Sequence, residues 1–238
     1  MQRYFASMVN SDTITLLESD VFHVTKVMRA KLHDEIIAIY DNEVYLGEIT
    51  SLKPLVITNK GKKEETNREL EKEVTLFFSL AKGDKIDFVI QKATELGASK
   101  VVLIRTEHCI VKMNDEDLKN KINNRYWRIA KEASEQSERR KIIDILGVYD
   151  IKSIPSELLC DINYVAYEKE SFSKIDLSEI KNKKSVSVLI GPEGGLTIDE
   201  VNTLNKQGFK CLSLGKRILR TETAAVAALA MINMVIEQ

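Results

Sequence analysis

Two stretches near the carboxyl end of the chain carry residue types that could do chemistry. The first, Leu189-Ile190-Gly191-Pro192-Glu193-Gly194-Gly195-Leu196, reads as a strand running into a glycine-rich turn, followed by a helix that opens on the capping box Thr197-Ile198-Asp199-Glu200. That layout exposes free backbone N–H groups at the end of a strand, where glycine permits a ligand to approach the backbone closely. Phosphate is a poor fit. The turn lacks the Lys-Ser/Thr of a P-loop, GPEGG is not GxGxxG, and Glu193 brings a negative charge better suited to a neutral or cationic ligand. The same residues also serve a plain strand-to-helix junction. The second stretch, Ser213-Leu214-Gly215-Lys216-Arg217-Ile218-Leu219-Arg220-Thr221-Glu222-Thr223-Ala224, follows the last strand and opens the last helix, so it can form a second wall of the same pocket. Its plainer reading is a basic loop with Thr221 or Thr223 as helix cap. The small residues Ala224 to Ala228 suit a dense crossing or a helix interface.

Several elements must position these loops. From residue 74 onward, β-branched runs at 74–80, 101–104, 141–148, 163–167, 185–190 and 210–214 alternate with helical segments at 84–96, 116–139, 197–207 and 221–237. Near-continuous apolar strands with helices between them imply a parallel sheet covered on both faces. The first 70 residues differ. Ile36–Tyr40 and Val44–Ile49 around Asp41-Asn42-Glu43 read as a hairpin, and 55–58 as another strand. A helix over 20–29, capped by Asp20 or Ser19, sets Val24, Val27 and Met28 on one side. The charged stretch 61–72, GKKEETNRELEK, lacks an apolar stripe and reads as a linker. The expected organisation is therefore a small β-rich domain over 1–70 and an α/β domain over 71–238.

Composition narrows the function classes. With 44% hydrophobic and 30% charged residues, the 238-residue chain should bury a real core. Its net charge of −1 advertises no global field for nucleic acid, so basic character must be sought locally. Between 119 and 141 there are eight basic residues against Glu132, Glu135 and Glu138, a plausible phosphate track. Tyr126 and Trp127 within it could stack on a base, although an aromatic pair inside a helix more often joins the core. Cys109, Cys160 and Cys211 are too scattered for a disulfide framework or a CxxC zinc site, and His23, His33 and His108 lack metal-ligand spacing. No metal is expected. The absence of a signal-like start or a long apolar run leads to the expectation of a cytoplasmic protein with no membrane partner.

GPEGG followed by LGxRxLRTETA resembles the SPOUT class of RNA methyltransferases, and within it the RsmE family. Further similarities lie at Arg3-Tyr4-Phe5, at His23 with Val27-Met28-Arg29, at Gly47-Glu48-Ile49, from Lys82-Gly83-Asp84-Lys85 through Gln91 to Gly97, and at Glu132 to Ser137. These short matches, in order, span most of the chain. Two departures stand out. Where the family usually has Gly-Arg after Glu135-Gln136-Ser137, this chain has Glu138-Arg139, and Ile142-Ile143 replaces the more common Val-Pro.

The resemblance implies a PUA-like RNA-binding barrel over 1–70, a knotted (trefoil) α/β methyltransferase domain over 71–238, and a homodimer. It implies S-adenosylmethionine as cofactor, held by Ile190, Gly191, Pro192, Glu193, Gly194, Ser213, Leu214, Gly215, Ile218 and Leu219, and N3 of a uridine in 16S rRNA of the 30S subunit as target. A uridine N3 carries a proton in neutral water, so the site must remove it or stabilise the resulting anion. Arg220 is the first candidate for that electrostatic role and Arg139 the second, with Glu135 as base or orienting carboxylate; Glu135 and Arg139 equally suit an i, i+4 surface pair. RNA contacts are expected from Arg3, Lys26, Arg29, Arg125, Arg128, Arg139 and Arg140. Two other functions fit the same fold: a non-enzymatic RNA-binding or ribosome-assembly factor, and a methyltransferase acting on tRNA or a ribose oxygen.

Overall fold

The structure is a computed structural model that describes residues 1–109, 111, 114–167 and 177–238. Its contacts divide the chain into two compact units: Met1–Glu69 with Ser134–Lys141, and Leu70–Ala133 with Ile142–Gln238.

The first unit is a closed five-stranded barrel in the order β1-β2-β5-β4-β3, from β1 (Gln2–Val9), β2 (Thr13–Leu16), β3 (Glu35–Tyr40), β4 (Glu43–Leu52) and β5 (Leu55–Lys62). Closure comes from the parallel pairing of β1 with β3, Gln2 opposite Ile36 and Phe5 opposite Ile39. The hairpin between β3 and β4 turns on Asp41 and Asn42, both at positive φ (50° and 60°). Aspartate and asparagine tolerate that conformation well, and a two-residue turn of this hand matches strand twist. Tyr4, Ile14, Leu16, Ile36, Ala38, Ile49 and Ile57 fill the interior.

The helix after β2 differs from the sequence expectation. It begins earlier, as α1 (Glu18–Phe22), with Leu17 at the cap position and no side-chain cap, and continues as a π turn over His23–Val27. Asp20 is buried inside it rather than capping it. The i→i+5 spacing of a π turn shifts the helical phase. Val24 therefore enters the core, whereas Val27 and Met28 are exposed.

The stretch read as a linker is tied down. Glu65 accepts from Arg3 Nη1 at 2.7 Å, and Glu69 accepts from Arg139 Nη2 at 2.6 Å and from the Arg140 N–H at 2.9 Å. Arg140 Nη2 donates to the Glu65 carbonyl at 2.6 Å, and the Phe5 N–H donates to Glu135 Oε1 at 2.9 Å. These bonds are how Ser134–Lys141 belongs to the barrel unit. Burial alone would raise the Glu69 carboxyl, but the Arg139 hydrogen bond and charge, with the backbone N–H groups of Arg140 and Lys141, hold it below the usual carboxylate range.

The second unit is a six-stranded parallel sheet in the order β11-β9-β10-β6-β7-β8. Its strands are β6 (Glu73–Ser79), β7 (Lys100–Arg105), β8 (Asp144–Asp150), β9 (Ile162–Ala166), β10 (Ser185–Ile190) and β11 (Phe209–Leu212). Side chains alternate between the two faces with the period of two that a strand imposes. Val74, Leu76, Phe78, Leu103, Val188 and Ile190 pack on one side, with α2 (Lys85–Glu95) and α7 (Thr221–Ile236) contributing Ile86, Ile90, Ala225 and Leu229. Phe77, Val102, Ile104 and Leu189 pack on the other, with Val201 and Leu204 of α6 (Ile198–Lys206). Both faces are covered, as the near-continuous apolar strands require.

The helical segment expected over 116–139 is shorter. It runs through α3 (Asp115–Lys121), a π turn (Ile122–Tyr126) and α4 (Trp127–Gln136), so Arg139 lies beyond its end. The end is a Schellman motif: Arg139 N–H donates to the Ser134 carbonyl at 2.9 Å and Glu138 N–H to the Glu135 carbonyl at 3.4 Å. Glu138 occupies the left-handed position, φ 60°, where glycine is at ease. A non-glycine residue there costs about 1–2 kcal/mol, and a 2.6 Å ion pair with Arg68 offsets part of it. Of the two aromatics, Tyr126 is buried in the core, whereas Trp127 is 39% exposed and lines an apolar groove with Ile122, Ile142 and Ile145. The segment α5 (Leu177–Lys181) is an addition that the sequence reading did not contain.

Candidate active site

A cleft of about 450 Å³ opens beyond the carboxyl ends of β9, β10 and β11, which are neighbours in the sheet. Chain placement alone puts it there: parallel strands end on the same edge, and the loops leaving them are the ones free to hold a ligand. Ile190 to Leu196 form one wall, and Ser213 to Gly215 with Arg217 to Thr221 form the other. All ten residues expected to hold the cofactor line this cleft, and so does Arg220. Ala166 and Tyr167, at the end of β9, also line it and escaped the sequence reading. Their signal was available only in three dimensions, since nothing in Tyr164-Val165-Ala166-Tyr167 says that β9 lies between β10 and β11.

Close packing fixes the first wall. A Cβ on Gly191 would stand 2.9 Å from Leu196 Cγ, and one on Gly194 2.9 Å from His108 Cβ. His108 Nδ1 lies 3.1 Å from the carbonyls of both Gly194 and Gly195. Carbonyls only accept, so that nitrogen carries the proton. Behind the loop, the fully buried Glu200 completes the expected capping box with Thr197 and also accepts from the Glu107 N–H at 2.8 Å.

The second wall departs from expectation at its helix start. Arg220, not a threonine, holds the cap position of α7, with no side-chain cap. Thr221 instead donates its hydroxyl across the cleft floor to the Gly191 carbonyl at 2.7 Å, joining the two walls. Arg217 and Arg220 are exposed at the cleft, and among the described residues no carboxylate pairs with either. The charge of Glu193 needs correcting too. Lys85 Nζ stands 2.8 Å from its Oε1, so the loop is not a bare negative site awaiting a cation. Burial would raise the Glu193 carboxyl, but the Lys85 bond and charge outweigh it and lower it.

Other expected site residues lie elsewhere. Glu135 and Arg139 belong to the first unit and do not line the cleft. Arg139, expected as a catalytic or RNA-contacting arginine, is 3% exposed and paired with Glu69 at 2.6 Å. Arg3, expected to contact RNA, has a side chain 8% exposed whose Nη1 is bonded to Glu65. Arg125 is exposed but bound to Asp87 and Asp84, and Arg140 is drawn to the Glu65 carbonyl. Lys26, Arg29 and Arg128 are exposed. The basic run from 119 to 141 is thus interrupted as a phosphate track, with Lys131 and Arg139 buried. Among the described residues, no helix is long and apolar enough to cross a membrane, and no three His, Cys, Asp or Glu residues could hold a metal ion.

Comparison with known proteins agrees with this geometry. Residues 68–233 match the RNA methyltransferase domain family, and residues 16–58 match the RNA methyltransferase PUA domain. The chain is 34% identical to the ribosomal RNA small subunit methyltransferase E of Bacillus subtilis, covering 98% of this chain and 96% of that one. It is 29% identical to the protein of the same name from Mesomycoplasma hyopneumoniae, over 95% and 96% of the two chains. The crystal structure of a ribosomal RNA small subunit methyltransferase E from Neisseria gonorrhoeae, bound to S-adenosyl methionine, superposes with a TM-score of 0.85 at 27% identity, covering 99% and 98% of the two chains. A cleft at the carboxyl ends of three adjacent parallel strands, a separate barrel unit and full-length similarity together place this chain in the ribosomal RNA small subunit methyltransferase E family of RNA methyltransferases.

Proposed function

We propose that the chain transfers a methyl group from S-adenosylmethionine to N3 of a uridine in 16S rRNA of the small ribosomal subunit. The observation that carries this reading is the convergence of the two sequence motifs on one cleft of about 450 Å³, within the range of small-molecule sites. The cleft suits S-adenosylmethionine by its chemistry. Ile190, Leu196, Leu214, Ile218 and Leu219 offer apolar surface for a purine ring, and the backbone of Gly191 to Gly194 and Ser213 to Gly215 offers hydrogen-bonding groups for its edge. When bound, the cofactor supplies an activated methyl group on a sulfonium centre.

The residues of this chain then have three tasks. The rigid walls hold the cleft's contents in one orientation and exclude water, which is where most of the advantage of an in-line displacement arises. Arg220, exposed at the cleft and free of a carboxylate among the described residues, stabilises the negative charge that uridine N3 gains as its proton passes to solvent at the open edge of the cleft. Lys26, Arg29 and Arg128 are exposed cations that RNA phosphates can reach, Arg128 carrying only an open, exposed 4.0 Å pair with Glu132. The trefoil knot, a homodimer, a cytoplasmic location and the absence of a membrane partner belong to the same proposal.

The test is transfer of label from S-adenosylmethionine to 30S subunits that lack their own modification, followed by digestion and nucleoside mass spectrometry. The expected product is 3-methyluridine. Transfer to tRNA alone or to a ribose oxygen, or cofactor binding without transfer, contradicts the proposal.

A further inference from the structure

Lys85 occupies a position that helix electrostatics disfavours. It is the first residue of α2, an eleven-residue helix, and there its ammonium faces the positive end of the helix dipole. Two carboxylates account for it. Lys85 Nζ lies 2.8 Å from Glu193 Oε1 in the first wall of the cleft and 3.4 Å from Glu222 Oε2 in the first turn of α7, which continues the second wall. The Glu222 oxygen is buried and accepts no hydrogen bond among the described residues, so the ammonium is the charge that compensates it. Without a cation between them, the two carboxylates would repel and the walls would be driven apart. All three side chains are between one-fifth and about one-third exposed, so water screens their attraction less than on an open surface. The Glu193 hydrogen bond, outweighing burial, pushes the Lys85 ammonium above its usual range, so it stays charged at neutral pH.

We infer that Lys85 is a positioning residue of the cleft: by holding Glu193 and Glu222 together it fixes the spacing of the two walls between which the cofactor binds. It acts alongside the Thr221 to Gly191 hydrogen bond, which joins the same walls at a different point. Lys85 does not line the cleft itself. The inference rests on the reading that S-adenosylmethionine occupies this cleft.

The experiment compares S-adenosylmethionine binding by calorimetry, steady-state KM and kcat, and thermal melting for the wild type, Lys85→Met, Lys85→Arg and the double variant Lys85→Met with Glu222→Gln. Loss of one charged hydrogen bond should weaken cofactor binding in Lys85→Met about tenfold. KM for the cofactor should rise more than kcat falls, since the residue sets the cleft and touches nothing that reacts. Lys85→Arg should bind close to wild type, and removing the second carboxylate should recover part of the loss in the double variant. Wild-type affinity in Lys85→Met, no recovery in the double variant, or a Lys85→Met chain that fails to fold overturns the inference. A wild type that binds no S-adenosylmethionine overturns the function reading beneath it instead.

Discussion

The arginines of the barrel unit and those of the cleft are the same residue type in opposite circumstances. Arg3 and Arg139 have side chains only 8% and 4% exposed, each set on a carboxylate of the former linker. Arg217 and Arg220 stand exposed at the cleft, and among the described residues neither has a carboxylate partner. A buried guanidinium set on a carboxylate is held in place, because moving it to a ligand would strand a buried carboxylate. An exposed, unpaired one is available to a charge that develops during reaction. Residue type and nearby motif leave the two groups alike; burial and partner separate them.

That contrast breaks most visibly at Glu69. Glu69→Ala should destabilise the barrel unit by about 3–5 kcal/mol, because it strands Arg139, and hydrogen exchange across β1 to β5 would show the loss. The pH dependence follows from the sign of the shift. Because the folded carboxyl is held below its unfolded value, its contribution is complete above the ordinary carboxylate range and disappears as pH falls through the lowered value. Acid melts should therefore show a steeper loss in wild type than in Glu69→Gln. Next in size, Arg220→Ala should lower kcat about 100- to 1,000-fold, as removal of a transition-state donor does, while calorimetry finds cofactor affinity largely kept. Equal loss of both would make Arg220 a wall residue, and the contrast with Arg139 would narrow. A smaller effect is expected of Thr221→Val, about 1 kcal/mol in unfolding free energy for one hydrogen bond. Smallest, Glu138→Gly should stabilise the chain by about 0.5 kcal/mol, the relief of left-handed strain exceeding the half-exposed Arg68 pair it removes.

The sheet was legible because its strands are buried on both faces and alternate with capped helices, patterns that local sequence carries directly. The cleft was legible for a related reason: its walls are two contiguous segments, each adjoining a strand end. What could not be read were features that depend on partners remote in sequence. Lys85 meets Glu193 across 108 positions, Arg139 meets Glu69 across 70, and Phe5 meets Glu135 across 130. Thr221 reads as a cap because threonine is favoured at helix starts, yet its hydroxyl donates to the Gly191 carbonyl instead. The phase errors at Val27 and Met28 have a local cause, a π turn that periodicity at 3.6 residues does not anticipate. The departure at Glu138 was visible in the sequence, but its meaning waited on the backbone: the residue sits where glycine is at ease.

The central claim is that the cleft between Ile190–Leu196 and Ser213–Thr221 is the cofactor site. A crystal structure of the chain soaked with S-adenosylmethionine tests it most directly. The cofactor is expected in that cleft, with its adenine against the backbone of the two loops and Arg220 at the edge facing solvent. Cofactor seated elsewhere, or a cleft that stays empty at saturating concentration, would contradict it.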